Sequence, residues 1–319
     1  MEIHAYIDQF LIEQSYNGSF LFAYEGTIRL CKGYGWADME QKRLNDEHTV
    51  FKIASIGKQF TATAIMLLQQ RGQLGVQDKV AQYVPELPGL KHLTIHQLLT
   101  HAAGLDEDIL VDWNVDEDMA PLRLQEMETV VPAHQVGSFH YSNFGYALLG
   151  LIVERVSGRT YEEFIQQELF LSLHMERTGG HLASYLAEGN RAIGYAEGKP
   201  AWKQDIPSYN SAGSILYSTV RDLYRWERAC YAAQLIGSDA LREMFTPHVA
   251  IDDERGYGYG WMIYSGRRNT VYHNGSLAGF RSTLYRNTEK DAVLIALSNL
   301  GDTGLEPIER LKRSIASWL

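Results

Sequence analysis

FKIASIGKQFTATAIMLLQQRG, residues 51–72, changes its period in mid-stretch. FKIAS is a short apolar run of strand type. From Ser55 onward the apolar residues Phe60, Ala64, Ile65, Leu67 and Leu68 recur at helical spacing, and Gly72 supplies a C-terminal stop. Ser55 therefore stands at or next to the start of a helix, with Lys58 three residues on. On a helix, that spacing puts hydroxyl and amine on one face, within contact range.

Upstream, residues 2–15 place Ile3, Tyr6, Ile7, Phe10 and Leu11 on one helical face, and Asn17-Gly18 ends the pattern. SFLFAYEG and TIRLCKGYGWAD then read as two strands joined by a tight turn at Glu25-Gly26, with FKIAS as a third. Downstream, residues 76–200 are dominated by helical stretches such as LTIHQLLTHA and YALLGLIVERVSG, with Pro85, Pro88, Gly104 and Pro132 in the loops. SAGSILYSTVRDLYRWERACYAAQL reads as another helix. The strand-like stretches YGYGWMIYS, NTVYHNGS, FRSTLYRN and DAVLIALSN follow, and the amphipathic GLEPIERLKRSIASWL closes the chain. The pattern predicts an α/β chain of the α+β kind, an antiparallel sheet flanked by helices. Residues 1–75 and 201–319 form one domain from both chain ends, and 76–200 form a mostly helical domain inserted between them.

Composition removes several classes of function. A chain of 319 residues with 45% hydrophobic content can bury a large core. The net charge of -10, with no run of Lys or Arg, argues against a nucleic-acid partner. The N-terminus, MEIHAYIDQFLIEQSYNGS, lacks the basic start, apolar centre and small-residue cleavage site of a signal peptide, which points to a cytoplasmic location. No run of about eighteen apolar residues predicts a membrane span. Cys31 and Cys230 are too few and too far apart for a zinc site and are expected as buried thiols. The histidines show no H-E-x-x-H spacing, so no metal or other cofactor is expected. Nothing in the sequence signals a particular oligomeric state.

Chemistry enters with Ser55 and Lys58. A serine hydroxyl attacks a carbonyl only when a neighbouring base takes its proton. A lysine serves as that base only where its surroundings exclude water or add positive charge. The free N–H groups at the helix start add a place for a developing oxyanion. Tyr141-Ser142-Asn143 sets a phenol and a carboxamide at a loop-to-helix junction. Two readings stand there: a proton-handling pair near Lys58, or a packed aromatic followed by Asn143 as a helix N-cap. His273-Asn274-Gly275-Ser276 lies on a strand, where Gly275 would let a ligand's backbone approach closely and His273 would donate to it or tune the proton network. A structural histidine beside a glycine fits the same residues. Tyr272-His273-Asn274 also has the Y-x-N form.

Taken together and in order, Ser55/Lys58, Tyr141/Asn143 and His273/Gly275 resemble the S-x-x-K, Y-x-N and K-x-G or H-x-G motifs of the serine β-lactamase and penicillin-binding protein superfamily. The resemblance is to its class C-like branch, with D-alanyl-D-alanine peptidases, D-aminopeptidases and esterases. LLTHAAGL (98–105) is similar to the branch's LLTHTSGL, and SAGSILYSTVRDLYRW and YGYGW also match. The resemblance runs from about residue 17 to the final helix and implies a β-lactamase/transpeptidase-like fold. It also implies a two-step acyl transfer: Ser55 attacks, Lys58 and Tyr141 manage its proton, and backbone N–H groups of Ser55 and Ser276 receive the oxyanion. Asn143 holds the substrate amide or steadies Lys58, and Tyr141 is the base for deacylation.

Three departures qualify this. His273 replaces the usual lysine, so its charge is expected to titrate near neutral pH, which argues against strong β-lactamase activity. Ala102-Ala103 replaces Thr-Ser, and no glutamate corresponds to the class A deacylating residue. Arg281 has two readings, a cleft guanidinium for a substrate carboxylate or a surface strand residue. The loops 106–135 and 181–210 are expected to shape the pocket, with Trp113, Tyr209 and Trp261 as pocket or core aromatics. The substrate expected is a small ester, amide or β-lactam. The chemistry expected is a serine hydrolase of esterase or D-amino-acid peptidase type. A penicillin-binding D,D-carboxypeptidase, a weak β-lactamase or a slow-turnover β-lactam or peptide sensor are the alternatives.

Overall fold

A computed structural model describes residues 2–107, 127–201, 216–264 and 270–318. Trp113 and Tyr209 lie outside the described residues. The chain opens with helix α1 (Ile3–Glu13), then the hairpin β1 (Gly18–Tyr24) and β2 (Thr27–Tyr34), turning at Glu25-Gly26 as the sequence indicates. Short strands β3 (Trp36–Asp38), β4 (Arg43–Leu44) and β5 (Phe51–Lys52) lead to a 3₁₀ turn, Ala54–Gly57, and helix α2 (Lys58–Gln70). Helices α3 (Ile95–Leu99), α4 (Asn143–Ser157), α5 (Tyr161–Ile165) and α6 (Leu182–Ala187) follow, with the small hairpin β6 (Tyr195–Ala196) and β7 (Lys199–Pro200). Strand β8 (Tyr217–Ser218), helices α7 (Val220–Tyr231) and α8 (Ser238–Met244), strands β9 (Val249–Ala250), β10 (Arg255–Tyr257), β11 (Met262–Tyr264), β12 (Thr270–Leu277), β13 (Phe280–Asn287) and β14 (Ala292–Ser298), and helix α9 (Glu306–Ser314) complete it.

One antiparallel sheet organises these elements, in the order β2-β1-β14-β13-β12-β11-β10-β9, so its strands come from both chain ends. The run AVLIALS of β14 is buried at every position because both faces are covered. Val293, Ile295 and Leu297 face the core that includes α2 and α7, whereas Leu294 and Ala296 face Ile7 and Leu11 of α1 and Ile308 and Leu311 of α9. β2, at the sheet edge, alternates instead between exposed and half-buried residues.

Several local expectations change. FKIAS yields only two strand residues, and they pair with β8 rather than joining the main sheet. YGYGWMIYS splits into β10 and β11 around a turn at Gly260. Of the helix expected across SAGSILYSTVRDLYRW, residues 211–215 lie outside the described residues, and α7 begins at Val220, where Thr219 Oγ1 caps it by accepting from Asp222 N–H. Cys230 is buried as expected, but Cys31, on the edge strand, is half-buried. Trp261 is core. No helix among the described residues is long and apolar enough to cross a membrane.

Helix α7 is fastened to the sheet through a buried carboxylate. Glu227, fully buried, pairs with Arg228 at 2.6 Å and lies 3.0 Å from Arg286 Nε on β13, close enough for an ion pair though not aligned as a hydrogen bond. Removing Glu227 leaves the buried Arg286 without its ion-pair partner, whereas Arg228 keeps Asp291 at 2.6 Å. Glu227→Ala is therefore expected to cost about 3–5 kcal/mol in urea unfolding. A loss below about 1 kcal/mol would mean that α7 is held by apolar packing alone.

Candidate active site

Ser55 sits on the 3₁₀ turn that precedes α2, so residues three apart eclipse each other. Lys58 Nζ consequently donates to Ser55 Oγ at 3.1 Å. The same amine donates to Asn143 Oδ1 at 2.7 Å and lies over the rings of Tyr141 and Tyr146, 4.8 and 5.4 Å from their centroids. The Lys58 side chain is fully buried, while Ser55 and Tyr141 are half-buried. The residues of the first two motifs thus meet around one amine.

The turn is seated on the sheet. Ser282 Oγ on β13 donates to Ile53 carbonyl at 2.7 Å. A Cβ at Gly275 would stand 2.3 Å from that same carbonyl and 2.2 Å from Ser282 Oγ. The space above Gly275 is therefore filled by the segment that carries Ser55, while the same glycine also lines the open cleft. Gly260, at φ +76°, performs the matching service on the other side, with its Cβ position 2.8 Å from Lys58 carbonyl. Ala54, directly before Ser55, is buried in the left-handed region at φ 47°, a conformation costly for a non-glycine residue and sustained by its surroundings.

Tyr141 and Asn143 reach Lys58 because α4 begins between them. Ser142 is the N-cap, its Oγ accepting from Gly145 N–H at 3.0 Å. This removes the reading of Asn143 as the cap and leaves its carboxamide turned to Lys58.

His273 differs most from expectation. It is 1% exposed, its Nδ1 lies 2.7 Å from Asn274 carbonyl, and its Nε2 lies 3.0 Å from Tyr257 Oη. A carbonyl can only accept, so Nδ1 carries the proton and Nε2 accepts from the Tyr257 hydroxyl. Burial first, and the positive charge of Lys58 second, push its pKa down to about 3. It is neutral at physiological pH, not titrating near neutrality, and both ring nitrogens are engaged within the protein.

The open face of these residues is a cleft of about 820 Å³ lined by Ser55, Tyr141, Asn143, Gly275, Ser276 and Arg281 among others. Arg281 is half-buried there, its Nη1 donating to Leu277 and Phe280 carbonyls at 3.1 and 2.9 Å. Glu107 and Phe139 also line the cleft, and the reading of motifs did not single them out. Nor did it single out Tyr257 or His101 as individual residues. Their signal was the stretches YGYGW and LLTHAAGL, which matched as blocks without a role for any one side chain. Among the described residues no cluster of His, Cys, Asp and Glu is arranged to hold a metal.

Residues 3–316 match the protein-family model described as Beta-lactamase. Penicillin-binding protein 4* of Bacillus subtilis (strain 168) is 28% identical over 312 residues, covering 90% of this chain and 69% of that protein. The solved octameric penicillin-binding protein homologue from Pyrococcus abyssi is 27% identical with a TM-score of 0.80, covering 92% of this chain and 72% of that one. A class C beta-lactamase shares the fold with a TM-score of 0.83 at 22% identity, over 98% of this chain and 94% of its own.

The state of His273 is measurable. Its unfolded form takes up a proton below pH ~6.5, whereas the folded form does so only near pH 3. Folded stability from this residue is thus complete above pH ~6.5 and falls as the pH drops toward 3, by up to about 1.4 kcal/mol per pH unit. His273→Asn should flatten that acid limb by one proton's worth in pH-resolved unfolding. An unchanged slope, or nitrogen chemical shifts showing His273 protonated at pH 6, would overturn the assignment.

Proposed function

The chain belongs to the beta-lactamase family, and from that premise we propose that it is a serine hydrolase that forms an acyl-enzyme on Ser55. Its substrates are small esters or amides, of esterase or D-amino-acid peptidase type. The observation that carries this reading is the 3.1 Å contact between Ser55 Oγ and the buried amine of Lys58. Family membership supports hydrolase chemistry in general. The contact supports this serine as its nucleophile.

In this reading, Ser55 Oγ bonds to the substrate carbonyl carbon as Lys58 Nζ, in its neutral form, takes the hydroxyl proton. The carbonyl oxygen becomes an oxyanion received by the backbone N–H groups of Ser55 and Ser276. The proton passes through Lys58 and Tyr141 to the leaving oxygen or nitrogen as its bond to carbon breaks. Water then attacks the acyl carbon with Tyr141 as base, and the acid leaves as Ser55 Oγ regains a proton. Asn143, bonded to Lys58 through Oδ1, steadies the amine. We further read residues 1–75 and 201–319 as one domain and 76–200 as the inserted one, which brings Tyr141 and Asn143 to Ser55 across the cleft.

His273 enters this scheme as a fixed neutral part of the wall rather than as a charge. Arg281 is then the cleft-lining guanidinium that would meet a substrate carboxylate. A second reading, a penicillin-binding D,D-carboxypeptidase or weak β-lactamase, is favoured by the names of two of the relatives, a penicillin-binding protein and a penicillin-binding protein homologue.

Intact mass after mixing with benzylpenicillin, and hydrolysis of an ester and D-amino-amide panel, separate these. Ester or amide turnover that is lost in Ser55→Ala and lowered about 10²–10⁴-fold in Lys58→Ala is the expected result. A persistent penicillin adduct on Ser55 would favour the penicillin-binding reading, and an adduct that never turns over any substrate would favour a sensor. Correctly folded protein with neither adduct nor turnover would refute the hydrolase. Separately, Arg281→Ala should raise KM about tenfold for carboxylate-bearing substrates and leave neutral esters unaffected. Equal effects on both classes would deny Arg281 that role.

A further inference from the structure

The signature stretch that holds His101 is the template for the segment carrying Tyr141 and Asn143. Gly137 N–H donates to Ala102 carbonyl at 2.8 Å, and His140 N–H donates to His101 carbonyl at 2.8 Å. Asn143 N–H donates to Glu107 carbonyl at 2.8 Å, and Ser142 Oγ donates to Asp106 carbonyl at 2.7 Å. At the centre of this zipper the backbone of one residue is held by a side chain: Ser142 N–H donates to His101 Nδ1 at 3.0 Å. Ser142 N–H belongs to the peptide that joins Tyr141 to Ser142, so this bond fixes the backbone from which the Tyr141 side chain departs and, one residue on, the start of the helix that carries Asn143.

His101 is suited to that task and has no other visible one. It is 1% exposed and stands in the left-handed region at φ 56°. Its ring lies against Tyr141 at 4.2 Å, Tyr146 at 4.9 Å and Tyr257 at 4.7 Å between centroids. Because Nδ1 accepts, the proton of the neutral ring is on Nε2, which is buried and finds no hydrogen-bond partner among the described residues. A buried N–H without a partner is a cost that a phenyl ring at this position would avoid. The acceptor on the other nitrogen is what a phenyl ring would lack.

We propose that His101 is a positioning residue of the acyl-transfer site, holding the Tyr141–Asn143 peptide against Lys58 through the Ser142 N–H to Nδ1 bond. The inference rests on the function proposed above and names a residue of the same site that touches neither Ser55 nor the cleft. Burial first, and then the positive charge of Lys58, keep the imidazole neutral and so able to accept. Loss of the bond lets Tyr141 and Asn143 move relative to Lys58, and displacements of about 1 Å at reacting groups cost up to about a hundredfold in rate.

Two amide variants separate acceptor from bulk. His101→Asn places a carbonyl oxygen at the position of Nδ1 and suits a left-handed backbone. His101→Gln is one methylene longer, places its amide at the position of Nε2 and leaves no acceptor for Ser142. The rate of Ser55 labelling by an alkyl fluorophosphonate is measured over pH 5–10 for both variants and the unsubstituted protein. Melting temperature and amide hydrogen exchange at Ser142 are recorded alongside. The expected result is labelling within about threefold of the parent for Asn, and at least about tenfold slower, with a displaced pH profile, for Gln. Ser142 exchange should be faster in Gln than in Asn. Equal labelling rates and pH profiles in the two variants, or equal Ser142 exchange, would overturn the proposal. A parent protein that is not labelled at Ser55 would count against the function itself, and the exchange comparison still decides whether His101 holds Ser142.

Discussion

The contact between strand β12 and the turn that carries Ser55 is the constraint from which the rest of the site follows. A polypeptide backbone approaches a sheet this closely only where the strand offers no side chain, and Gly275 is that place. Ser282 Oγ then fastens Ile53 carbonyl, and Ala54 is driven into a left-handed conformation that aims the next residue, Ser55, outward. From the opposite side Gly260 admits the carbonyl of Lys58. The start of α2 is thus gripped between two glycines, and the 3₁₀ geometry of the gripped turn stacks Lys58 on Ser55. A methyl group at either glycine would meet backbone atoms and displace nucleophile and amine together.

Around that amine the protein has arranged groups that hold their protons. His101 and His273 are kept neutral by burial, and the charge of Lys58 reinforces the effect. Burial likewise drives the hydroxyl protons of Tyr146 and Tyr257 far toward the alkaline side. The two histidines act as oriented dipoles: one accepts from Ser142 N–H, and the other accepts from Tyr257 and donates to Asn274 carbonyl. A site with so many ionisable residue types therefore offers few titrations. Under the proposed function, Lys58 and Tyr141 are the groups whose protons the reaction has to move.

How much of this could be read in advance depends on the range over which each signal acts. Strand alternation, the Glu25-Gly26 turn and the apolar face of α2 are local, and each was legible in its own stretch of sequence. The pairing of Ser55 with Lys58 was legible because a helical turn brings together residues three apart. The burial of His273 was not, since its depth is set by Tyr257 and by the turn packed on β12, which are far away in the chain or on another strand. The same reason hid the occupant of the space above Gly275, and it hid His101, whose partner Ser142 lies 41 residues on. The choice between Asn143 as the cap of α4 and Asn143 as a partner of Lys58 was undecided by composition, because its residue type caps well. Geometry made Ser142 the cap, which released the Asn143 carboxamide to face Lys58.

The neutrality of His273 also redistributes charge across the cleft. A lysine at that place on β12 would present a permanent cation beside the nucleophile. The imidazole presents none, and neither ring nitrogen has capacity left for a ligand while Tyr257 and Asn274 hold them. Under the proposed function the cationic duty passes to Arg281, one hairpin turn further along, where the carbonyls of Leu277 and Phe280 engage one end of its guanidinium and so restrict its reach. Under the same function, the lack of a fixed cation at His273 is what makes this hydrolase a poor match to strong β-lactamase activity.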